Sequence, residues 1–219
     1  MTPRSPMRPP PGRQQLPREF IARHQRQRII TALAEEAVEK GYRAVTVADI
    51  VRRAGIARNT FYENFSSKED CFLAAQQYAV DESLRRVVEA ASSVESWPDR
   101  VRAGLASFLR SVATEPALAR ACFVEALSAG PEAMAGYEES LQAFVPLFRI
   151  GRKVSSQGNE LPETLEETIV GGIFWIIYQR VVAGETAEIE RLLPELIEFS
   201  LTPYVGPKAA RRTASEPSP

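Results

Sequence analysis

Between residues 18 and 205 the apolar positions recur every three to four residues, strict alternation is absent over any useful length, and glycines and prolines fall at the ends of the periodic stretches. That pattern predicts an all-α chain. A first helix is expected over 18–40, with Ile29, Ile30, Leu33, Ala37 and Val38 on one face and Gly41 as its stop. Thr46 caps a second helix, with Asp49 three residues on to complete a capping box. Val47, Ile50, Val51 and Ala54 face inward, and Gly55 closes that helix in a tight turn. A short third helix follows over 58–65, and Ser66 or Ser67 caps a long fourth helix reaching about Ala90.

Later helices are expected from Pro98, over 116–130, and over 131–154 with a kink at Pro146. Residues 157–162 read as a loop. Two more helical stretches follow, over 163–183 and over 187–201, the last broken or kinked at Pro194. Residues 1–17 and 206–219 are Pro-rich, polar and without periodicity, so both are expected to be disordered tails. The domain reading is 18–66 for the first unit and 67–205 for the second.

The stretch 46–62 carries the chemistry. Two short helices joined by a glycine turn make a helix-turn-helix. Gly55 supplies the left-handed backbone, Ile56 fills the space between the helices, and Phe61 and Phe65 hold the third helix to the core. Arg58, Asn59, Thr60 and Tyr62 are left facing outward. A forked donor, an amide and two hydroxyls on an eight-residue helix suit the major groove of B-DNA. Asn59, which can pair with adenine, or Arg58, which can take guanine bidentately or hold a phosphate, is the expected base reader. Thr60, Tyr62, Thr46 and Lys68 are expected on phosphates. Arg18, Arg23, Arg26 and Arg28 cluster on the first helix and are expected to reach the DNA backbone or minor groove.

Charge supports the same division. Up to residue 75 there are 13 Lys and Arg against 8 Asp and Glu, and beyond it 14 against 20. A basic first third on an acidic remainder fits an anionic partner at one end of the molecule. Two cysteines, Cys71 and Cys122, are too few for a disulfide scaffold and fit a reducing compartment. The N-terminal stretch has no apolar core and does not read as a secretory signal. The apolar run 169–178 is about half the ~20 residues that span a bilayer. Together these place the protein in the cytoplasm, with no membrane partner.

No catalytic constellation is visible, so the chain is not expected to be an enzyme. His24 is the sole histidine, and the cysteines lack metal-ligand spacing. Neither a phosphate-cradling loop nor a nucleophile elbow occurs. No metal and no cofactor is expected. The competing class is a helical small-molecule-binding protein without DNA-binding activity.

Residues 18–75 resemble the DNA-binding domain of the TetR family of regulators. The matching run is Gly41-Tyr42, Thr46-Val47 through Ala54-Gly55-Ile56, Thr60-Phe61-Tyr62, Phe65 and Ser67-Lys68-Glu69, in order and without gaps. Ala57 stands where the family usually has Ser or Thr, which removes a cap, and Asn64 stands where His or Tyr is common. The resemblance implies a homodimer that binds a double-stranded DNA operator through the N-terminal three-helix domain. It also implies a C-terminal helical domain for effector binding and dimerisation, and a repressor released from a pseudo-palindromic site by a small molecule.

In that C-terminal region the helix over 163–183 is apolar almost all round and must be buried on more than one side. Ile169, Ile173 and Ile177, with Leu193 and Ile197 on the last stretch, are the expected dimer contacts. The effector is expected to be apolar or weakly polar. The candidate lining is Phe108, Phe123, Tyr137, Phe144, Trp175 and Tyr178, and Glu125 is a possible polar anchor that reads better as solvated.

Overall fold

The computed structural model describes residues 18–216, with side chains from residue 24 onward. The expected tail 1–17 and the side chains of Arg18 and Arg23 lie outside that range. The order is α1 (Arg18–Lys40), a 3-10 turn (Tyr42–Ala44), α2 (Val47–Ala54), α3 (Arg58–Asn64), α4 (Lys68–Ser92) and α5 (Trp97–Thr114). Then come α6 (Pro116–Arg120), a π-helical turn (Ala121–Glu125), α7 (Ala126–Ala129), α8 (Pro131–Arg149) and a 3-10 turn (Ile150–Lys153). The chain ends with α9 (Leu165–Ala183), a 3-10 stretch (Thr186–Leu192), α10 (Leu193–Val205) and α11 (Pro207–Ser215). No strand occurs among the described residues.

Two apolar cores sit at either end of α4. The first gathers Ile29 and Leu33 of α1, Ile50 of α2, Phe61 of α3, Phe65, and Phe72 of α4, all 1% exposed or less. It does not end at residue 66: Cys71 and Ala75 of α4, Ala121 and Ala126 around the π-helical turn, and Ala133 of α8 complete it. The second packs α5, α8, α9 and α10 around Leu109, Ile169, Ile177, Ile197 and Leu201. Helix α4 therefore contributes to both cores, its first turns to one and its last turns to the other.

Local chemistry explains the N-terminal helices. The Thr46 hydroxyl accepts from the Asp49 N–H and the Asp49 carboxylate accepts from the Thr46 N–H, the full capping box at the start of α2. Gly55, at φ 61°, ends α2 in the left-handed region. Ser67 caps α4 by accepting from the Asp70 N–H at 3.1 Å.

Three expectations are corrected or resolved. Residues 207–215, expected to be structureless, form α11: Gly206 turns the chain, and the small residues Ala210 and Thr213, three apart, are buried. Pro194 neither kinks nor interrupts a helix, because it stands in the first turn of α10, after the 3-10 stretch. The expected helix over 116–130 is not uniform, since its middle, Ala121–Glu125, is π-helical.

Candidate nucleic-acid interface and adjoining cavity

Helix α3 is held from one side and free on the other. Phe61 and Phe65 are 0% and 1% exposed, whereas Arg58, Asn59 and Tyr62 are exposed and Thr60 is half-buried. Arg58 and Tyr62 lie one turn apart, with the guanidinium 5.7 Å from the ring centroid and 3.4 Å from the hydroxyl. Ala57 gives α3 no side-chain cap, so its first N–H groups are left without that internal acceptor. At the other end Asn64 closes the helix by donating from Nδ2 to the Thr60 carbonyl at 2.8 Å.

Several basic residues expected at DNA do structural work. Arg26 donates to the Asn64 carbonyl at 2.8 Å, and its guanidinium lies 4.2 Å from the Phe65 ring centroid, so it anchors the end of α3. Arg28 donates to the Ala54 and Gly55 carbonyls and clamps the turn itself. The orphan carbonyls that end α2 and α3 attract the nearest guanidinium, and both arginines remain exposed with further N–H donors. Lys68 lies over the Tyr42 ring at 4.3 Å and donates to the Tyr42 carbonyl at 3.2 Å, which leaves two of its N–H donors. The Thr46 hydroxyl donates to Asp49 at 2.6 Å, so any phosphate there would meet the backbone N–H groups that open α2.

Helix α2 is charged but internally paired. Glu36, 3% exposed, meets Lys40 at 2.7 Å and Arg53 at 2.8 Å, and Lys40 also meets Asp49 at 2.9 Å. Hydrogen bonds from Lys40 and then Arg53 hold the Glu36 carboxyl below its usual range. This network fixes α1 against α2, and it takes Arg53 out of the set of residues facing a partner.

The second core contains a cavity of about 350 Å³ between α4, α5, α8 and α9. Phe108 and Phe144 line it. So do Val87, Val101, Leu105, Phe148, Val170, Ile173 and Phe174, which pattern alone did not single out. Its exposed rim is Val88 and Ser92 of α4, Arg100 of α5 and Ile150, and its closed end is the buried trio Phe108, Phe144 and Phe174. Close helix approach shapes one wall: a Cβ on Gly104 would sit 3.1 Å from Val87. Phe123 and Tyr137 lie behind that closed end, against smaller cavities of about 50 Å³ each.

Trp175 and Tyr178 do not reach the cavity, and their assignment as ligand contacts is corrected. They stack on each other at 5.4 Å and 19°, with Trp175 57% exposed and Tyr178 half-buried against the second core. The expected dimer residues on α9 are also corrected, because Ile169, Ile173 and Ile177 are at most 3% exposed and belong to the protomer's own core. Ile197 is buried likewise, and Leu193 is half-buried. Because α9 is apolar on both faces, its hydrophobic pattern does not distinguish the side packed in the protomer's core from the outward one. The outward stripe is Gly171, Trp175, Tyr178 and Val182, spaced four, three and four, beside the exposed Phe199 of α10. A Cβ on Gly171 would meet nothing within 4 Å.

Glu125 is neither solvated nor in the cavity. It is buried in the π-helical turn, accepts the Tyr42 N–H at 2.9 Å and lies 3.6 Å from Arg120. The sequence marked the residue but not its role, because its partner lies 83 residues away. A second buried carboxylate, Glu166, accepts from Arg152 at 2.8 Å and from the Tyr204 hydroxyl at 3.0 Å, tying α9 to α10 and to the 3-10 turn after α8. Among the described residues no helix is long and apolar enough to cross a membrane.

Comparison with known proteins agrees with this architecture. The sequence model described as "Bacterial regulatory proteins, tetR family" matches residues 29–75. The HTH-type transcriptional regulator EthR of Mycolicibacterium smegmatis is 26% identical over 180 residues, covering 81% of this chain and 82% of that protein. The HTH-type transcriptional activator FasR of the same organism is 32% identical over 93 residues, 42% of this chain and 41% of that protein. Two solved structures share the fold. The fatty acid degradation regulator FadR of Bacillus halodurans has a TM-score of 0.72 at 19% identity, covering 81% of this chain and 93% of that one. FadR of Bacillus subtilis, solved with stearoyl-CoA, has a TM-score of 0.68 at 19% identity, covering 82% and 98%. Residues 29–75 thus form a helix-turn-helix of the tetR family of bacterial regulatory proteins, in front of a helical domain that shares the fold of the FadR structures.

Proposed function

We propose that this ligand-responsive, DNA-binding transcriptional regulator is a cytoplasmic homodimeric repressor, released from a pseudo-palindromic operator by an effector with a long apolar chain. One observation carries the reading. A single protomer pairs an outward-facing recognition helix with an apolar cavity of about 350 Å³, inside the range of ligand sites.

Arg58 and Asn59 are the base readers, and Thr60, Tyr62, Lys68 and the start of α2 at Thr46 hold phosphates. The dimer forms through the exposed Trp175, Val182 and Phe199 together with the half-buried Gly171 and Tyr178, an apolar stripe with a coiled-coil spacing on α9. The lining favours an acyl-type effector: its walls are Val, Leu, Ile and Phe, while Arg100 and Ser92 at the rim suit an anionic or polar end. FadR of Bacillus subtilis, which shares the fold, was solved with a ligand of that build, stearoyl-CoA.

An effector can release DNA only by binding the two conformations unequally. The test is operator release, on a duplex chosen from a genomic binding footprint. Long-chain acyl-CoA should lower operator affinity by about tenfold or more, within the usual range of allosteric coupling, and coenzyme A alone should not. No thermal shift and no loss of affinity with any long-chain fatty acid or acyl-CoA would remove the effector reading and leave the DNA-binding one.

A further inference from the structure

The closed end of the main cavity is a partition, and a second space lies behind it. Phe108, Phe144 and Phe174 line the 350 Å³ cavity on one side and a cavity of about 50 Å³ on the other. Their ring centroids are 5.0 to 5.7 Å apart, so the three rings pack on one another where the two spaces adjoin. The inner space is apolar on most of its surface, like the outer one, but it has more polar side chains at its edge. Gln76, Ser83, Ser140, Tyr137 and Cys122 are among its lining residues.

Gln76 is the unusual member of that lining. It is 4% exposed on α4, and its Nε2 donates to the Ala133 carbonyl at 3.1 Å. Its Oε1 is buried and has no hydrogen-bond partner among the described residues. A buried acceptor left unpaired is destabilising unless something supplies a donor. The Ser140 hydroxyl cannot be counted on for this, because it donates to the Gly136 carbonyl at 2.6 Å.

We propose that the Gln76 carboxamide is a second, polar subsite of the effector site: the ligand's apolar chain passes the Phe108–Phe144–Phe174 partition, and a hydrogen-bond donor on its far end, a hydroxyl or amide N–H, meets Oε1. This rests on the apolar-effector reading and adds to it that the effector is polar at both ends. The placement also gives the site a consequence. Gln76 bridges α4 to the start of α8 beside Ala133, a member of the N-terminal core. A donor seated there is read where the two cores meet, and a chain too short to pass the partition is not.

The experiment compares straight-chain fatty acids with their ω-hydroxy analogues, from ten to eighteen carbons, by calorimetry on the full chain and on Gln76→Met. At one chain length the hydroxy acid should bind about tenfold more tightly than the plain acid, the gain of one buried hydrogen bond. That preference should fall away at lengths two carbons shorter and vanish in Gln76→Met. Equal binding of the two series at every length, the result given by a fixed water already paired with Oε1, overturns the proposal. So does a preference that survives in Gln76→Met. If that variant does not fold, the length profile of the wild-type protein decides alone. Failure of both series to bind at all would instead count against the apolar effector itself.

Discussion

The Glu125 carboxylate accepts the backbone N–H of Tyr42 at 2.9 Å, away from solvent. Tyr42 follows α1 in the DNA-binding unit, and its carbonyl accepts from Lys68 at the start of α4. Glu125 belongs to the π-helical turn that also holds Phe123, which packs on Phe174 of the cavity partition with ring centroids 5.2 Å apart. One short turn therefore touches the cavity partition with one residue and the DNA-binding unit with another.

Glu125→Ala leaves the Tyr42 N–H buried and unpaired, at a cost of about 1–3 kcal/mol. Glu125→Gln keeps an acceptor and loses the pairing with Arg120, so it should be milder. In calorimetry the alanine variant should unfold at a lower temperature than the glutamine variant. In operator titrations it should also show a smaller ratio between affinities with and without effector. An alanine variant as stable as wild type would show that the contact contributes nothing.

Glu166 makes stability depend on pH. Burial opposes its ionisation, and the hydrogen bonds from Arg152 and then Tyr204 outweigh that, so its carboxyl titrates below the usual range. A lowered folded-state value stabilises the protein above the ordinary carboxylate pKa of about 4.3, and that share is lost as pH falls through the folded value. Glu166→Gln should be less stable at neutral pH, since it removes the charged partner of Arg152 and leaves that guanidinium only its carbonyl acceptors at Gly158, Leu161 and Pro162. The gap between the two melting curves should close progressively below about pH 4. A gap that stays constant down to acid-induced unfolding would contradict this account.

The two faces of α9 should respond differently to charge. Trp175→Arg or Phe199→Asp, on the outward stripe, should yield folded monomers. Ile173→Arg, in the core and the cavity wall, should yield insoluble protein, because an unpaired buried charge is not tolerated. Sedimentation velocity with circular dichroism separates the cases. A folded dimer from Trp175→Arg and Phe199→Asp together would place the interface elsewhere.

How far the sequence could be read follows from these residues. The capping box at Thr46, the turn at Gly55 and the Phe61/Phe65 anchor are local, set by neighbours within four positions, and all were legible. The faces of α9 were not, since Ile169, Ile173, Ile177 and Trp175 are all apolar and periodicity cannot tell a protomer's core from a partner-facing side. Glu125, Glu166, Gln76, Arg26 and Arg28 act through partners 14 to 83 residues away, some of them backbone groups, which carry no side-chain signature. Helix α11 was hidden by its polar composition, because its buried face uses only small residues such as Ala210 and Thr213.

The most direct test of the account is a binding titration at several salt concentrations on operator and scrambled duplexes, with wild type, Asn59→Ala, Arg58→Ala and Lys68→Ala. Wild type should prefer the operator. Asn59→Ala and Arg58→Ala should each lose about 1–3 kcal/mol of preference at one base pair per half-site, as expected for bidentate base contacts. Lys68→Ala should weaken binding to both duplexes and flatten the salt slope by about one unit. Equal binding of wild type to both duplexes, or operator affinity untouched by every substitution in α3, would show that α3 is not the reader and would contradict the central claim.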